Sequence, residues 1–505
     1  MTTTAPRVDS ATLPATPTYP TLWGHPRPLW MLFMAEFWER FAFYGIRWAL
    51  TLYIVAQFYG GAASGQGAAS KTYGAYLALV YASAIFGGFV ADRLIGYQRS
   101  ILAGALIMSA GLFMIMLPDQ HLFLLGLATV IVGNGLFKPN ISTLVGKIYP
   151  EGDPRRDRGF SIFYMGINAG GMISPLLTHW LASIATGESM LNYHLVFGAA
   201  GVGMLLSYVW FTIGRRQLMG LGALPPTPAN NRSTVLVIAG ALAAIAPVYL
   251  LMAFVEASLL AWMLLLLFIT LSVALCLGAR RSGRIALERV VAMLLMFVFN
   301  IVFFMFFEQA GSSFNFLAQN IVNRQLFEGF EIRVAWFQSL NSASVVLCAP
   351  IVALAWTVMS RHRWEPSIPR KFALGLLGNA LGFGVLMFAL TRLVDARQMI
   401  PFWTLAACYL LQSVGELCLS PIGLSMVSKL VPRDMAGLAF GGWFLSTAIG
   451  NNFSGLLASD ISGPSGMTIA SALGGFTFSF WLLVGAGAVL FACGPRISRL
   501  MHGVH

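Results

Sequence analysis

Fourteen apolar runs of about twenty residues punctuate this chain, and they limit its fold more than any other feature. A hydrocarbon layer about 30 Å thick takes roughly 20 apolar residues of helix to cross. Inside it every backbone N–H and C=O must be paired within the segment, so such runs predict helices. They fall near 29–57, 73–94, 99–117, 121–145, 159–184, 192–214, 234–254, 258–278, 289–318, 334–358, 371–391, 400–430, 436–460 and 472–495. The wider composition agrees, with 57% of residues apolar and only 10% charged. A soluble domain carries about 45–50% and about 25%. The sequence therefore predicts an all-α polytopic membrane protein and excludes disorder, collagen, a coiled coil or a large water-soluble enzyme.

The runs group as six, two and six. We expect a tail over 1–28, a six-helix bundle over 29–214, a linker with two additional helices over 215–288, a second six-helix bundle over 289–496 and a tail over 497–505. Residues 1–28 are rich in Thr, Pro and Ala and lack an apolar core segment, so no cleavable signal is expected. The net charge of +12 reflects 31 Lys and Arg against 19 Asp and Glu. Of those cations 23 fall in loops on one side and 5 on the other, while Arg40, Arg47 and Lys138 lie inside apolar runs. Cytoplasmic loops accumulate Lys and Arg, so this bias predicts a multi-pass protein of the inner (cytoplasmic) membrane with both termini in the cytoplasm. It calls for no nucleic-acid partner. The five cysteines sit within or at the ends of apolar runs without metal-ligand spacing, and read as small hydrophobes.

Seven charged residues occupy places that lipid should forbid: Glu36, Glu39, Arg40, Arg47, Lys138, Glu308 and Glu416. Insertion scales put each at roughly 2.5–3.5 kcal/mol in mid-bilayer, about 20 kcal/mol in all if unpaired. That exceeds the roughly 5–15 kcal/mol stability of a typical protein. These groups must pair, titrate to neutral forms or line a wet cavity. At 100° per residue, Glu36, Glu39, Arg40 and Arg47 fall within about 100° on the first helix, with Tyr44 beside them. A local pair at i,i+4 accounts for Glu36 and Arg40 but leaves Arg47 without a partner on its own helix.

The division between halves is informative. Arg47 and Lys138 are the unbalanced cations of the first half, whereas Glu308 and Glu416 are isolated acids of the second. Opposite charges on two facing bundles form gates that make and break as the bundles rock. Protonating a carboxylate in such a pair releases its cation, which couples transport to protons. Cations on one wall and carboxylates on the other suit a zwitterion with separated ends. A short peptide would set its carboxylate on Arg40 and Lys138 and its ammonium on Glu416. Tyr44, Tyr81 and Trp443 are candidate pocket walls.

Several strings then resemble a known family. Glu36-Phe37-Trp38-Glu39-Arg40-Phe41 is similar to the ExxER signature of the proton-dependent oligopeptide transporters, bacterial type, within the major facilitator superfamily. GFVADR from Gly88 to Arg93, followed by Gly96, resembles the superfamily motif after the second helix. GNGLFKPNIS at 133–142, FSIFYMGINAG at 160–170 and GELCLSPIG at 415–423 resemble the fourth-, fifth- and tenth-helix signatures. The resemblance implies twelve core helices with the two extra ones between bundles. It implies a monomer with no cofactor, driven by the proton gradient and carrying di- and tripeptides. It implies proton coupling at Glu36, Glu39, Arg40 and Glu308, and gating pairs Arg47 with Glu308 and Lys138 with Glu416. It also implies peptide binding by Arg40, Tyr44, Tyr81, Lys138, Asn168, Asn341, Glu416, Ser420 and Trp443. The chain departs from the family at Phe43 (often Tyr), at Ala84 (usually Pro) and in having no histidine over 72–81.

Two other readings stand beside this one. The same fold can carry another small anionic or zwitterionic solute, such as nitrate or an amino-acid conjugate, although the intact ExxER string speaks for peptide. An integral-membrane enzyme would need a nucleophile–base set or metal ligands, and the chain has neither HExxH nor a GxSxG set with plausible partners.

Overall fold

A computed structural model describes residues 17–150, 153–184, 191–224, 228–432 and 435–504. Most of the N-terminal tail, Pro225, Pro226 and Arg433 therefore lie outside the described residues. Fifteen α-helices follow in order. The first six are α1 (Arg27–Phe58), α2 (Gly65–Val90), α3 (Tyr97–Met114), α4 (Gln120–Lys147), α5 (Arg156–Ile184) and α6 (Tyr193–Gly214). The middle pair is α7 (Pro228–Phe254) and α8 (Ala257–Arg281). Then come α9 (Arg284–Phe307), α10 (Ser313–Asn320), α11 (Val334–Arg361), α12 (Ile368–Arg392), α13 (Phe402–Leu430), α14 (Ala436–Ser462) and α15 (Ile469–Leu500). With α9 and α10 counted as one broken span, these make the fourteen expected crossings. Twelve spans meet a length-and-hydropathy test for crossing a membrane. The two that do not, α3 and α14, are short or carry buried polar residues such as Asn451 and Ser454.

Local chemistry sets the ends. The Asp119 carboxylate accepts from Leu122 N at 2.8 Å and starts α4, and Thr468 with Ser471 forms a reciprocal capping box on α15. Gly96, at φ +78°, lets the chain turn sharply between α2 and α3.

Several boundaries differ from expectation. α2 starts eight residues earlier than 73, because the Gly65–Ser70 stretch, polar and glycine-rich in sequence, is buried. Gln66 there accepts from Met467 N at 2.9 Å. α7 starts at 228 rather than 234. The span expected over 289–318 is broken by a tight 3-10 turn at Glu308–Gly311.

The two six-helix sets meet chiefly where α2 lies along α14 and α5 along α11. Glycine makes the first contact close: a Cβ on Gly74 would stand 2.6 Å from the Gly455 Cα. Small residues allow this approach of backbones in helical membrane proteins. The middle pair divides its attachments, with α7 packed on α4 and α8 on α14 and α9. We call the end of the bundle that holds both described termini the terminal end, and the opposite one the far end.

Candidate functional site

The site grows from the polar stripe on α1. Arg40 lies between two acids of its own helix. Its Nη2 donates to Glu39 Oε1 at 2.6 Å, its Nε lies against Glu39 Oε2, and the same Nε stands 3.3 Å from Glu36 Oε1. All three side chains are buried. Across from them, Asn134 on α4 reaches Glu39 Oε1 at 3.5 Å. Glu36 Oε2 has no hydrogen-bond partner among the described residues. Two acids face one guanidinium here, and Lys138 is the further cation within electrostatic reach of both.

Two turns farther along α1, Arg47 Nη2 donates to Glu308 Oε2 at 2.7 Å. The pair is buried and joins the first half to the 3-10 turn of the second. Glu308 is the first residue of that turn, so its carboxylate leaves the chain at the break in the span. Arg47 Nε donates to the Tyr73 hydroxyl at 3.1 Å, and its guanidinium stands 5.7 Å from the Tyr44 ring centroid.

The second expected pair is not formed. Lys138 sits on α4 with its ammonium 4.2 Å from the Tyr81 ring centroid. Among the described residues no carboxylate lies within 4.0 Å of it. The reason is positional: α4 and α13, which carry Lys138 and Glu416, do not lie along one another. Glu416 instead lies within electrostatic reach of Asn341, whose Nδ2 donates to Ser413 Oγ at 2.9 Å.

The remaining predicted residues divide. Tyr44, Tyr81, Lys138, Glu416 and Ser420 are half-buried, and the first four stand within electrostatic reach of the charged groups at the centre. Tyr44 stands within electrostatic reach of Arg40, Arg47, Glu308 and Glu416 together. Asn168 is buried and donates to the Tyr164 carbonyl at 2.9 Å. Trp443 departs from its expected place as a pocket wall. It is 4% exposed, and its ring fills the space over Gly423 between Phe297 and Phe372. With α14 packed so tightly against α9 and α13, an indole there serves as core.

Sequence reasoning missed several neighbours. Asn134 falls one turn before Lys138 on the same face of α4, which was a readable signal. Tyr73, Thr51, Asn315, Gln338 and Tyr409 carry no charge and gave none.

Two facing six-helix sets with buried, oppositely charged groups at their seam define a membrane transporter of the major facilitator fold. The PTR2 family model, described as POT family, matches residues 98–470. A peptide transporter, YePEPT, of Yersinia enterocolitica subsp. palearctica is 35% identical over 471 residues, covering 88% of this chain and 90% of the relative. Dipeptide and tripeptide permease B of Yersinia enterocolitica is 34% identical and covers 88% of both. A crystal structure of a peptide transporter POT in complex with sulfate aligns with TM-score 0.81 at 32% identity, over 97% of this chain and 98% of that one. The chain belongs to the POT family of transporters.

Proposed function

We propose that this chain carries di- and tripeptides into the cytoplasm together with protons, by alternating access. One observation carries the reading. Arg47 and Glu308 are paired at 2.7 Å towards the far end, while Lys138 and Glu416 stay unpaired with each other nearer the centre. That asymmetry is what a carrier closed at one end and open at the other requires. The terminal end, which holds most of the loop cations, is the cytoplasmic one on the positive-inside rule, and the membrane is the inner membrane.

In this reading the peptide carboxylate meets Arg40 and Lys138. The peptide ammonium meets Glu416, with Asn341 and Asn168 beside it. Tyr44, Tyr81 and Ser420 line the chamber, and Trp443 supports it through Gly423. Glu36, Glu39 and Glu308 take the coupling proton. A proton arriving on Glu308 removes the charge that holds Arg47 and lets the far end open. A membrane potential adds about 2.3 kcal/mol per charge per 100 mV to that step. The energy comes from the gradient, with no further cofactor and a monomer as the working unit. The functional divisions are the two bundles over 29–214 and 289–496, joined by the linker with two helices over 215–288 and flanked by the tails over 1–28 and 497–505.

The test is uptake of a neutral dipeptide into proteoliposomes under an imposed proton gradient. The parent should accumulate it, and Glu416→Gln and Arg40→Ala should not. Gradient-driven accumulation retained in both variants at normal yield refutes these roles. Displacement of the dipeptide by excess nitrate would point to the other cargo.

A further inference from the structure

Beside the Arg47–Glu308 pair the far end holds a second, uncharged connection between the halves. Asn315 on α10 points its amide at α1, where Nδ2 reaches the Trp48 carbonyl at 3.1 Å and Thr51 Oγ1 at 3.2 Å. The same nitrogen reaches the Gly311 carbonyl at 3.1 Å, and Thr51 Oγ1 donates to that carbonyl at 3.3 Å. Gln338 on α11 fixes the orientation of the amide by donating to Asn315 Oδ1 at 3.0 Å. Gln338 also meets the Ala310 carbonyl and the Tyr409 hydroxyl, and Tyr409 donates to Ala310 O at 3.2 Å. All of these groups are buried.

We propose that Asn315, with Thr51, is a second far-end gate element, a neutral latch that holds α1 against the 3-10 turn whatever the charge on Glu308. The proposal deepens the alternating-access reading and rests on it. The physical case is one of directionality and cost. An amide held by Gln338 cannot rotate away from Thr51 without leaving polar atoms unpaired, and each buried orphan is costly. Opening the far end breaks the contacts to Trp48 and Thr51 but leaves those to Gln338 and Gly311, which lie in the same half. The latch is thus preassembled on one bundle and engages the other only on closure. The ion pair answers to a proton; this connection supplies closure that does not. The ionisable groups facing Glu308 are Arg47, Tyr44, Tyr73, Tyr81, Lys138, Tyr409 and Glu416, and Asn315 adds none to them.

The structure provides a reporter. A Cβ built on Gly67 stands 3.9 Å from Ser459 Cβ, near the separation of about 3.8 Å that a disulfide takes. Gly67→Cys with Ser459→Cys should oxidise only when the far end is shut. The experiment uses the full chain in proteoliposomes, with the five native cysteines replaced by alanine. We expect Thr51→Val to slow disulfide formation about threefold and Asn315→Leu about tenfold, the range that one or two lost hydrogen bonds predict. The Asn315→Leu effect should add to that of Glu308→Gln. Either latch variant slowing oxidation more than twofold supports the proposal. Both falling within twofold of the parent overturns it, and Thr51→Val keeps the test valid if Asn315→Leu folds poorly. If the parent takes up no peptide, the transport reading fails while the disulfide rate still reports on the latch.

Discussion

Lys138 rests its ammonium on the face of Tyr81, at 4.2 Å from the ring centroid, and not on a carboxylate. A cation–π contact is worth about 0.5–2 kcal/mol, so the lysine is held but not locked. Arg47 by contrast has a carboxylate at 2.7 Å and a hydroxyl at 3.1 Å. Two cations of the same half are thus held in different ways. If Lys138 and Glu416 pair when the terminal end closes, the exchange variant Lys138→Glu with Glu416→Lys should recover more uptake than either single change. We expect each single variant to lose at least about tenfold and the double to regain part of it, given coupling energies of about 0.5–3 kcal/mol between contacting groups. Initial dipeptide uptake rates for the four proteins decide this. An exchange variant no better than the worse single one would rule out the pair.

The α2–α14 contact makes a prediction about packing. A methyl on Gly74 would enter the Gly455 backbone at 2.6 Å from Cα and 2.9 Å from N. Backbone cannot step aside as a side chain can, so Gly74→Ala should cost about 1–3 kcal/mol. Gly437, also on α14, has nothing within 4 Å of its built Cβ. Gly437→Ala should therefore be neutral or slightly stabilising, since glycine inside a helix costs about 0.5–1 kcal/mol relative to alanine. Thermal midpoints of the two purified variants in the same detergent give the comparison. Equal midpoints would show that α2 and α14 have room to separate.

What could be read from sequence was what lipid penalises. Arg47 and Glu308 announced themselves because an unpaired charge in hydrocarbon is forbidden; their signs set a cation in one half against an acid in the other, and the family resemblance, not sign, matched these two across 261 positions. The Glu36–Glu39–Arg40 stripe followed from helical spacing. Asn315 and Thr51 were silent, because uncharged polar residues are common in apolar runs and nothing local marks a partner 264 positions away. Lys138 differs: the pairing with Glu416 that the resemblance implies is not formed, and the ammonium lies on the Tyr81 ring instead, a contact that no charge pattern announces. Trp443 was aromatic in the right helix, but packing against Phe297 and Phe372 depends on side-chain volumes on three helices at once. The start of α2 was hidden by Gly65 and Gln66, loop-like in composition yet buried by α14 and the segment after it.

At the terminal end a loop cluster carries a pH prediction. The Arg155 guanidinium and Arg155 N, at 2.7 and 2.8 Å from its two oxygens, hold the Asp153 carboxyl below its ordinary range. Arg155 also reaches the Gly24 carbonyl at 3.3 Å, and His25 meets the Tyr149 hydroxyl at 2.9 Å. The approach to α1 is thereby tied to the loop between α4 and α5. A carboxylate with a lowered folded-state pKa contributes stability that is complete above its unfolded value, about 3.9, and is lost as pH falls through the folded value. Hydrogen exchange over 19–26, corrected for intrinsic rates, should therefore accelerate below about pH 4. Asp153→Asn should show the faster exchange already at pH 6. Unchanged exchange at pH 6 would detach Asp153 from that segment.

Tyr73 offers a prediction about how Arg47 is aimed. Its hydroxyl accepts from Arg47 Nε at 3.1 Å, which leaves Nη2 directed at Glu308. The same hydroxyl lies over Gly311, where a Cβ would come within 1.9 Å of it. Tyr73 therefore touches the cation from one bundle and the turn that carries the acid from the other. Removing the hydroxyl in Tyr73→Phe strands one buried donor of Arg47, a loss of about 1–3 kcal/mol in the far-end-closed state. The Gly67→Cys, Ser459→Cys disulfide should then form several-fold more slowly, with peptide affinity little changed. Arg47→Lys has no Nε–H to donate. If the tyrosine acts through that donor, Tyr73→Phe should slow the reporter much less in the Arg47→Lys background than in the parent. Equal slowing in both backgrounds would assign the tyrosine to packing against Gly311 alone, and Arg47 would then owe its orientation to Glu308 and Tyr44.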